Sequence, residues 1–446
     1  MSPMTSNETE QTNFATDPGS VADLSAQIRA GTLTPTELLE RYLERIHAVD
    51  RYVQAWCEVA VDSARIDAER LTREAKSGIF RGVLHGIPVG IKDIIDVLGM
   101  RTLANSRSRA DIPIATADAE VVACLRLAGA IVLGKTHTTE FAYFDPSPAR
   151  NPHNIEHTPG GSSSGSAAAV AAGTVPLALG TQTVASLNRP AAYCAIAAFK
   201  PSTQSTCLHG VVPLAPAFDT IGCYGRRVAD AATLYEAMCP PPVPSAAPPS
   251  DGPIEICQIE DPALDVCDAG VAAAVQAVAK RLIAAGHRVR QAPSPIAFDK
   301  LYEVQMRVMK YEAARIHRRL RDAPAGSVGP KFMTMLHEGL QIPDEQYRED
   351  RAHLARTRAL FWRSFPNAGV TGALLFPAAP TTAPHGIDST GDPKYISPWT
   401  ALGGPIVTLP AGFDTNGLPI GVLLCGSPAT DHAFARIANR LEAACR

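Results

Sequence analysis

Three short segments of this chain carry side chains that could do chemistry. In Gly86-Ile87-Pro88-Val89-Gly90-Ile91-Lys92-Asp93 a lysine stands inside an apolar run. A lysine stripped of water loses its preference for the charged form and can act as a neutral base. In Gly160-Gly161-Ser162-Ser163-Ser164-Gly165-Ser166 a serine-rich loop runs straight into the small residues Ala167-Ala168-Ala169-Val170. By composition this is a flexible linker. A linker has no need of a helix behind it, whereas an anion or oxyanion site at a helix N-terminus does. No lysine follows in GxxxxGKS/T spacing and the pattern is not GxGxxG, so nucleotide binding has little support. In Gly180-Thr181-Gln182-Thr183-Val184-Ala185-Ser186-Leu187-Asn188-Arg189-Pro190-Ala191 a serine lies among small residues after an apolar strand. Alone it reads equally as a turn former, and it does not match the GxSxG nucleophile turn.

The elements that must position these segments read as alternating helices and strands. Thr34, Pro35 and Glu37 form a capping box with proline at the first helical position. Leu38, Leu39, Tyr42, Leu43, Ile46 and Val49 follow at helical spacing. Residues 83–97 read as a strand or turn entering a buried sheet. Residues 119–130 fit a helix ended by Gly129, and 131–133 a short strand closed by Gly134. The alternation recurs at 167–173 into 175–179 and again at 254–259 into 270–285, which favours an α/β fold with a mixed central sheet flanked by helices. Residues 299–322 and 331–365 read as two long helices, and 374–424 as short apolar runs cut by Pro and Gly. Seven prolines between 239 and 253 make a stiff linker at 240–253. Residues 1–19 read as a disordered tail, leaving one domain over 20–446.

The 446 residues are 46% apolar and 19% charged, enough to bury a large core. A net charge of −3 argues against a dedicated nucleic-acid or anionic-membrane binder. None of the ten cysteines forms CxxC, and the polar N-terminus lacks the basic start and apolar run of a signal peptide. A soluble cytoplasmic enzyme with reduced thiols is the expected class. The twelve histidines include no HExxH, and the pair His153 and His157 lies in an Asn/Pro-rich loop without further ligands, so no metal and no cofactor are expected.

Taken together, the lysine in GxPxxxKD, the Gly-Gly-Ser-Ser loop and a serine 24 residues beyond Ser162 resemble the amidase signature family. The likeness extends to Asp118, Ala119, Val122, Leu125 and Gly134-Lys135-Thr136, to Glu140-Phe141-Ala142, to Asp219, Gly222, Arg226, Val228 and Asp230, and to Trp399, Gly403, Pro405, Leu409-Pro410 and Gly417-Leu418-Pro419. It covers nearly the whole chain from about residue 20, most weakly over 240–370. The resemblance implies the family's α/β/α fold with a helical substrate-cap insertion at 299–365. It also implies a Ser–cisSer–Lys triad: Ser186 as nucleophile, Ser162 as the bridging serine on a cis peptide bond, and Lys92 as base. The oxyanion hole would be the backbone N–H groups of Thr183, Val184, Ala185 and Ser186, supported by Ser163, Gln182 and Arg189.

The chain departs from the family's pattern at Val184-Ala185, where two glycines or a small residue with glycine are usual. Ala195 and Ala198 also stand where glycine is common. If the 184–185 turn needs positive φ, each non-glycine residue costs about 1–2 kcal/mol. If it does not, Val184 is a wall of the pocket. Tyr143 and Phe144, with Tyr302, Met306, Met309, Phe332, Met333, Met335 and Leu336, would form a deformable apolar lining, or else are core. The implied activity is hydrolysis of C–N bonds through an acyl-enzyme, on hydrophobic or aryl amides or on carbamates (urethanes), by a monomer or homodimer. Two alternatives stand beside it: the glutaminase subunit of a tRNA-dependent amidotransferase, and a binding homologue of low or no activity because of Val184-Ala185.

Overall fold

The computed structural model describes residues 13–240, 252–262 and 266–445. Its centre is an 11-stranded mixed sheet. In chain order the strands are β1 (Trp56–Val59), β2 (Pro88–Lys92), β3 (Ile131–Thr136), β4 (Leu177–Gln182), β5 (Ala197–Lys200), β6 (Thr220–Gly225), β7 (Glu255–Glu260), β8 (Arg288–Pro293), β9 (Gly372–Pro377), β10 (Ile406–Phe413) and β11 (Pro419–Cys425). Across the sheet they run β1-β3-β2-β4-β6-β5-β10-β11-β9-β7-β8. Two parallel groups, β3-β2-β4 and β9-β7-β8, are joined through the antiparallel run β4-β6-β5-β10-β11-β9. Strands β2, β3, β4 and β6 are buried at every position, the mark of a sheet covered on both faces. The expected α/β class is therefore the class found.

The capping box forms as read: Thr34 Oγ1 accepts from Glu37 N, and the Glu37 carboxylate accepts from Thr34 N. Three expectations need correction. Strand β3 does not stop at Gly134 but runs on to Thr136. Glycine is needed there for close approach, because a Cβ would fall 2.2 Å from Glu58 O on β1. The long helix expected over 331–365 is two helices, Pro330–Leu340 and Asp344–Ser364, parted where Pro343 cannot supply an N–H and restrains the residue before it. The other reads Phe298–Ile316, with a short 3-10 turn at Arg318–Asp322.

The tail is the third. Residues 13–19 are held against the body: Phe14 N donates to Pro152 O, Arg45 Nη2 donates to Phe14 O, and the Phe14 ring stacks on Tyr52. Burial of the Phe14 side chain contributes about 1.5–3 kcal/mol toward ordering this segment, and the hydrogen bonds to its backbone add to that. Residues 1–12, and most of the proline-rich stretch expected as a linker, lie outside the described residues. Among the described residues, no helix is long and apolar enough to cross a membrane.

Candidate active site

Lys92 is the last residue of β2, with no exposed surface. Its neighbour Asp93 takes the buried Lys135 at 3.1 Å, and Lys92 reaches instead a cluster of hydroxyls. Its Nζ lies 2.7 Å from Ser162 Oγ, 2.9 Å from Ser163 Oγ and 2.8 Å from Thr181 Oγ1. Burial pushes the Lys92 amine well below its ordinary range, and the Asp219 carboxylate offsets part of that. Burial pushes Asp219 up in turn, while Thr183 Oγ1 and the N–H groups of Leu214 and Ala215 donate to it and favour the carboxylate.

Three hydroxyl contacts match the three hydrogens of an ammonium ion, and they also accommodate a neutral amine. Ser163 Oγ donates to Thr181 O at 3.1 Å and accepts from Thr181 N, so toward Lys92 it can only accept. A neutral amine has two hydrogens and one lone pair. One hydrogen goes to Ser163, and the lone pair is free to accept from Ser162 at the shortest of the three contacts.

Ser162 follows two glycines in left-handed backbone, Gly160 at φ +86° and Gly161 at +56°. A Cβ on Gly161 would lie 2.5 Å from Pro190 Cγ, so the loop abuts the segment after Ser186. Thr139 N donates to Ser162 O, and Ser163 N to Ser186 O, both at 3.1 Å. This is where the structure departs from the implied triad. Every described peptide bond is trans, the one before Ser162 included. A cis bond outside proline costs about 3–4 kcal/mol, and here the paired positive-φ glycines make the turn with trans bonds. The Ser162 and Ser186 hydroxyls are not hydrogen-bonded to each other, and among the described residues Ser186 Oγ has no partner.

The loop from β4 into the short helix Asn188–Tyr193 holds Ser186, 8% exposed. Four carbonyls along it are tied down from outside. Gln305 Nε2 donates to Thr183 O at 2.9 Å, Thr400 Oγ1 to Val184 O at 2.6 Å, Arg189 N to Ala185 O at 3.2 Å, and Ser163 N to Ser186 O. A trans peptide is planar with its N–H opposed to its C=O. The N–H groups of Val184, Ala185 and Ser186 therefore point away from these anchors. Among the described residues none of them, nor Thr183 N–H, donates to a protein acceptor, whereas Leu187 N and Asn188 N both donate to Gln182 Oε1 at 3.0 Å. Unspent donors beside an unpartnered hydroxyl are what an oxyanion requires. Neither Val184 nor Ala185 has positive φ, so the turn carries no left-handed strain there. Ala195 does, at φ 51°.

Ser186 opens onto a narrow cavity of about 10 Å³, room for roughly one water. Tyr143, Phe144, Val184, Leu214 and Met309 line it, with Arg189 and Pro393. Arg189 is buried. Its Nη2 donates to Thr390 Oγ1 at 3.0 Å, while Nε and Nη1 have no partner among the described residues. Tyr143 and Phe144 also border a cavity of about 610 Å³ that includes Met335, Lys331 and Thr390. Of the other residues expected in the pocket, Tyr302 lines a separate cavity of about 460 Å³ with Asp392 and Lys394, and Met306 packs against the core, as do Phe332, Met333 and Leu336. His153 and His157 each turn one ring nitrogen to a backbone carbonyl, of Cys194 and Ala383.

Four side chains of this site lie beyond what the sequence reading reached. Thr181 and Thr183 stand in the segment of Ser186, but nothing in their spacing marks their hydroxyls for Lys92 and Asp219. Thr400 carries no signal beside Trp399. Gln305 has one: it breaks the apolar stripe Leu301, Val304, Val308, Met309 of its helix with a polar side chain.

Residues 37–434 match the family model described as Amidase. Over 474 aligned residues the chain is 31% identical to the A subunit of glutamyl-tRNA(Gln) amidotransferase from Synechococcus sp. (strain WH7803), covering 95% of this chain and 96% of that one. A crystal structure of an amidase superposes with a TM-score of 0.85 at 30% identity, over 96% of this chain and all of the other. The native peptide amidase from Stenotrophomonas maltophilia superposes at 0.81 and 28% identity, over 97% and 98%.

Proposed function

The chain belongs to the amidase signature family, and from that premise we propose that it is a serine hydrolase cleaving C–N bonds of hydrophobic or aryl amides or of carbamates. Ser186 attacks the carbonyl carbon. Lys92, neutral, takes a proton from Ser162, and Ser162 takes that of Ser186. The contact between the two serines closes only when substrate is seated, as catalytic hydrogen bonds often do. The oxyanion is met by N–H groups of residues 183–186. The relay returns the proton to the leaving amine, giving an acyl-enzyme or carbamoyl-enzyme that water then hydrolyses.

The observation that carries this reading is the conjunction at Ser186: an unpaired hydroxyl, unspent N–H groups in the same loop, and a buried lysine at the end of β2 bonded to the serine loop packed against it. Tyr143, Phe144, Leu214 and Met309 favour an apolar or aromatic body, and the two unpaired nitrogens of Arg189 favour one acceptor oxygen on it. A cytoplasmic monomer or homodimer belongs to the same proposal.

The test is labelling with a fluorophosphonate, together with hydrolysis of matched aryl amide, aryl ester and aryl carbamate. Ser186→Ala should lose the label and fall below about 1% of the parent rate with its melting temperature kept, since losses of a triad member exceed a thousandfold. Higher residual turnover refutes the assignment.

A second reading has its own support. The identity to an amidotransferase component spans nearly the whole of both chains, so a glutaminase subunit working with a partner chain is the competing assignment. Ammonia release from glutamine, and a second chain co-purifying from the native host, would favour it. The reading as a binding homologue is the weaker one, because negative φ at Val184 and Ala185 removes the strain on which it rested.

A further inference from the structure

We propose that Gln305 is a positioning residue for the oxyanion site, a latch by which the helical insertion holds the nucleophile loop in its working orientation. The inference rests on the reading of Ser186 as nucleophile and goes beyond it. Gln305 lies on the helix Phe298–Ile316, far in sequence from the triad, and is fully buried. A buried side-chain amide must be satisfied at both ends. Its Nε2 donates to Thr183 O at 2.9 Å, and its Oε1 accepts from Ser397 Oγ. The carbonyl of Thr183 can only accept, so the amide orientation is forced.

The consequence follows from the peptide plane. Thr183 O and Val184 N–H belong to one peptide unit and point in opposite directions. Holding the carbonyl toward Gln305 turns the N–H away from it. Thr400 does the same one residue later: its hydroxyl donates to Val184 O and accepts from Gln182 Nε2, which sets Ala185 N–H. Asp219 holds the Thr183 side chain on a third side, at 2.5 Å. Without Gln305 the first of these peptide units loses its anchor, and a rotated peptide presents an oxygen to the developing oxyanion in place of a hydrogen.

The same helix also reaches the substrate side. Met309, one turn on from Gln305, lines the Ser186 cavity, and Tyr302, one turn back, lines the separate cavity of about 460 Å³. Gln305 thus ties the part of the chain that shapes the cavities to the part that stabilises charge. It is a positioning residue only, since no atom of it borders the Ser186 cavity.

The experiment compares Gln305→Met, which keeps length but no donor, with the parent on a matched aryl ester and aryl amide. A lost oxyanion donor costs about a hundred- to thousandfold. A loosened one should cost about ten- to a hundredfold in kcat, with KM within about twofold. Ester and amide should lose equally, because both form the oxyanion, whereas a proton-relay defect falls mainly on the amide. Affinity for an arylboronic acid, which forms a tetrahedral adduct on the serine, should fall in step with kcat/KM. If Gln305→Met does not fold, Ser397→Ala carries the test: it removes the donor to Gln305 Oε1, leaves the amide anchored only at Thr183 O, and should give a smaller loss with the same ester–amide parity.

A folded Gln305→Met enzyme with unchanged kcat, or with losses confined to the amide, overturns the latch. So does boronate affinity that stays at the parent value while kcat falls. Should Ser186→Ala itself retain activity, the functional reading has failed, a result distinct from failure of the latch.

Discussion

Replacing Val184 by glycine separates two accounts of why this chain lacks a glycine pair beside Ser186, the proposed nucleophile. Val184 is 5% exposed and lines the 10 Å³ cavity at Ser186, with φ on the ordinary side. If it is a wall, the substitution opens space for three carbons. Each acyl methylene that enters gains about 0.8 kcal/mol, roughly fourfold in kcat/KM, so three could bring about sixtyfold. Glycine also adds backbone freedom worth about 0.5–1 kcal/mol. Loaded entirely onto the transition state, that would lower kcat about two- to fivefold. The loss should lie at the low end, because Thr183 O and Val184 O stay latched by Gln305 and Thr400. The assay is a series of p-nitroanilides from acetyl to pentanoyl, with rates normalised to active sites titrated by fluorophosphonate. The expected pattern is a slightly slower acetyl substrate and a gain that climbs with acyl length. A uniform rise in kcat with no dependence on length would refute the wall and point to a strained loop that glycine relieves.

Two further outcomes follow from the same geometry. The proposed relay requires neutral Lys92, so the rate should rise with pH. Because burial lowers the Lys92 pKa, the rising limb should lie well below that of a solvent-exposed lysine. Lys92→Met should abolish this limb and cost at least tenfold more on an amide than on the matched ester, whose alkoxide can leave unprotonated; equal losses would count against the relay. Ala195, at φ 51°, bears a left-handed penalty of about 1–2 kcal/mol that glycine escapes. Set against the greater freedom of unfolded glycine, Ala195→Gly should gain about 0.5–1 kcal/mol in urea unfolding, and no gain would show that neighbouring contacts already compensate.

How much of this is legible in the sequence depends on whether the physics is local. The capping box at Thr34 and the lysine in an apolar run are local, because the residue and its cause lie within a few positions. Glycine is local in cause but ambiguous in effect. Gly134 reads as the end of a strand, yet it admits Glu58 O to close range in the middle of β3. The resemblance to a family implied the three triad positions and with them a cis bond, which the structure does not contain.

The oxyanion loop shows where local reading stops. Val184-Ala185 looks like a defect in sequence because a glycine pair is the usual way to let peptide units turn freely. Freedom is needed only when the loop must find its own orientation. Here the orientation is imposed by Gln305 from the helix Phe298–Ile316, by Thr400 from the segment before β10 and by Gln182 from the end of β4. These span more than 200 positions of the chain, and no window of sequence contains them together. Once both carbonyls are held, a β-branched residue that narrows the choice of backbone angles opposes nothing, and it adds a side chain at the cavity wall that glycine cannot supply.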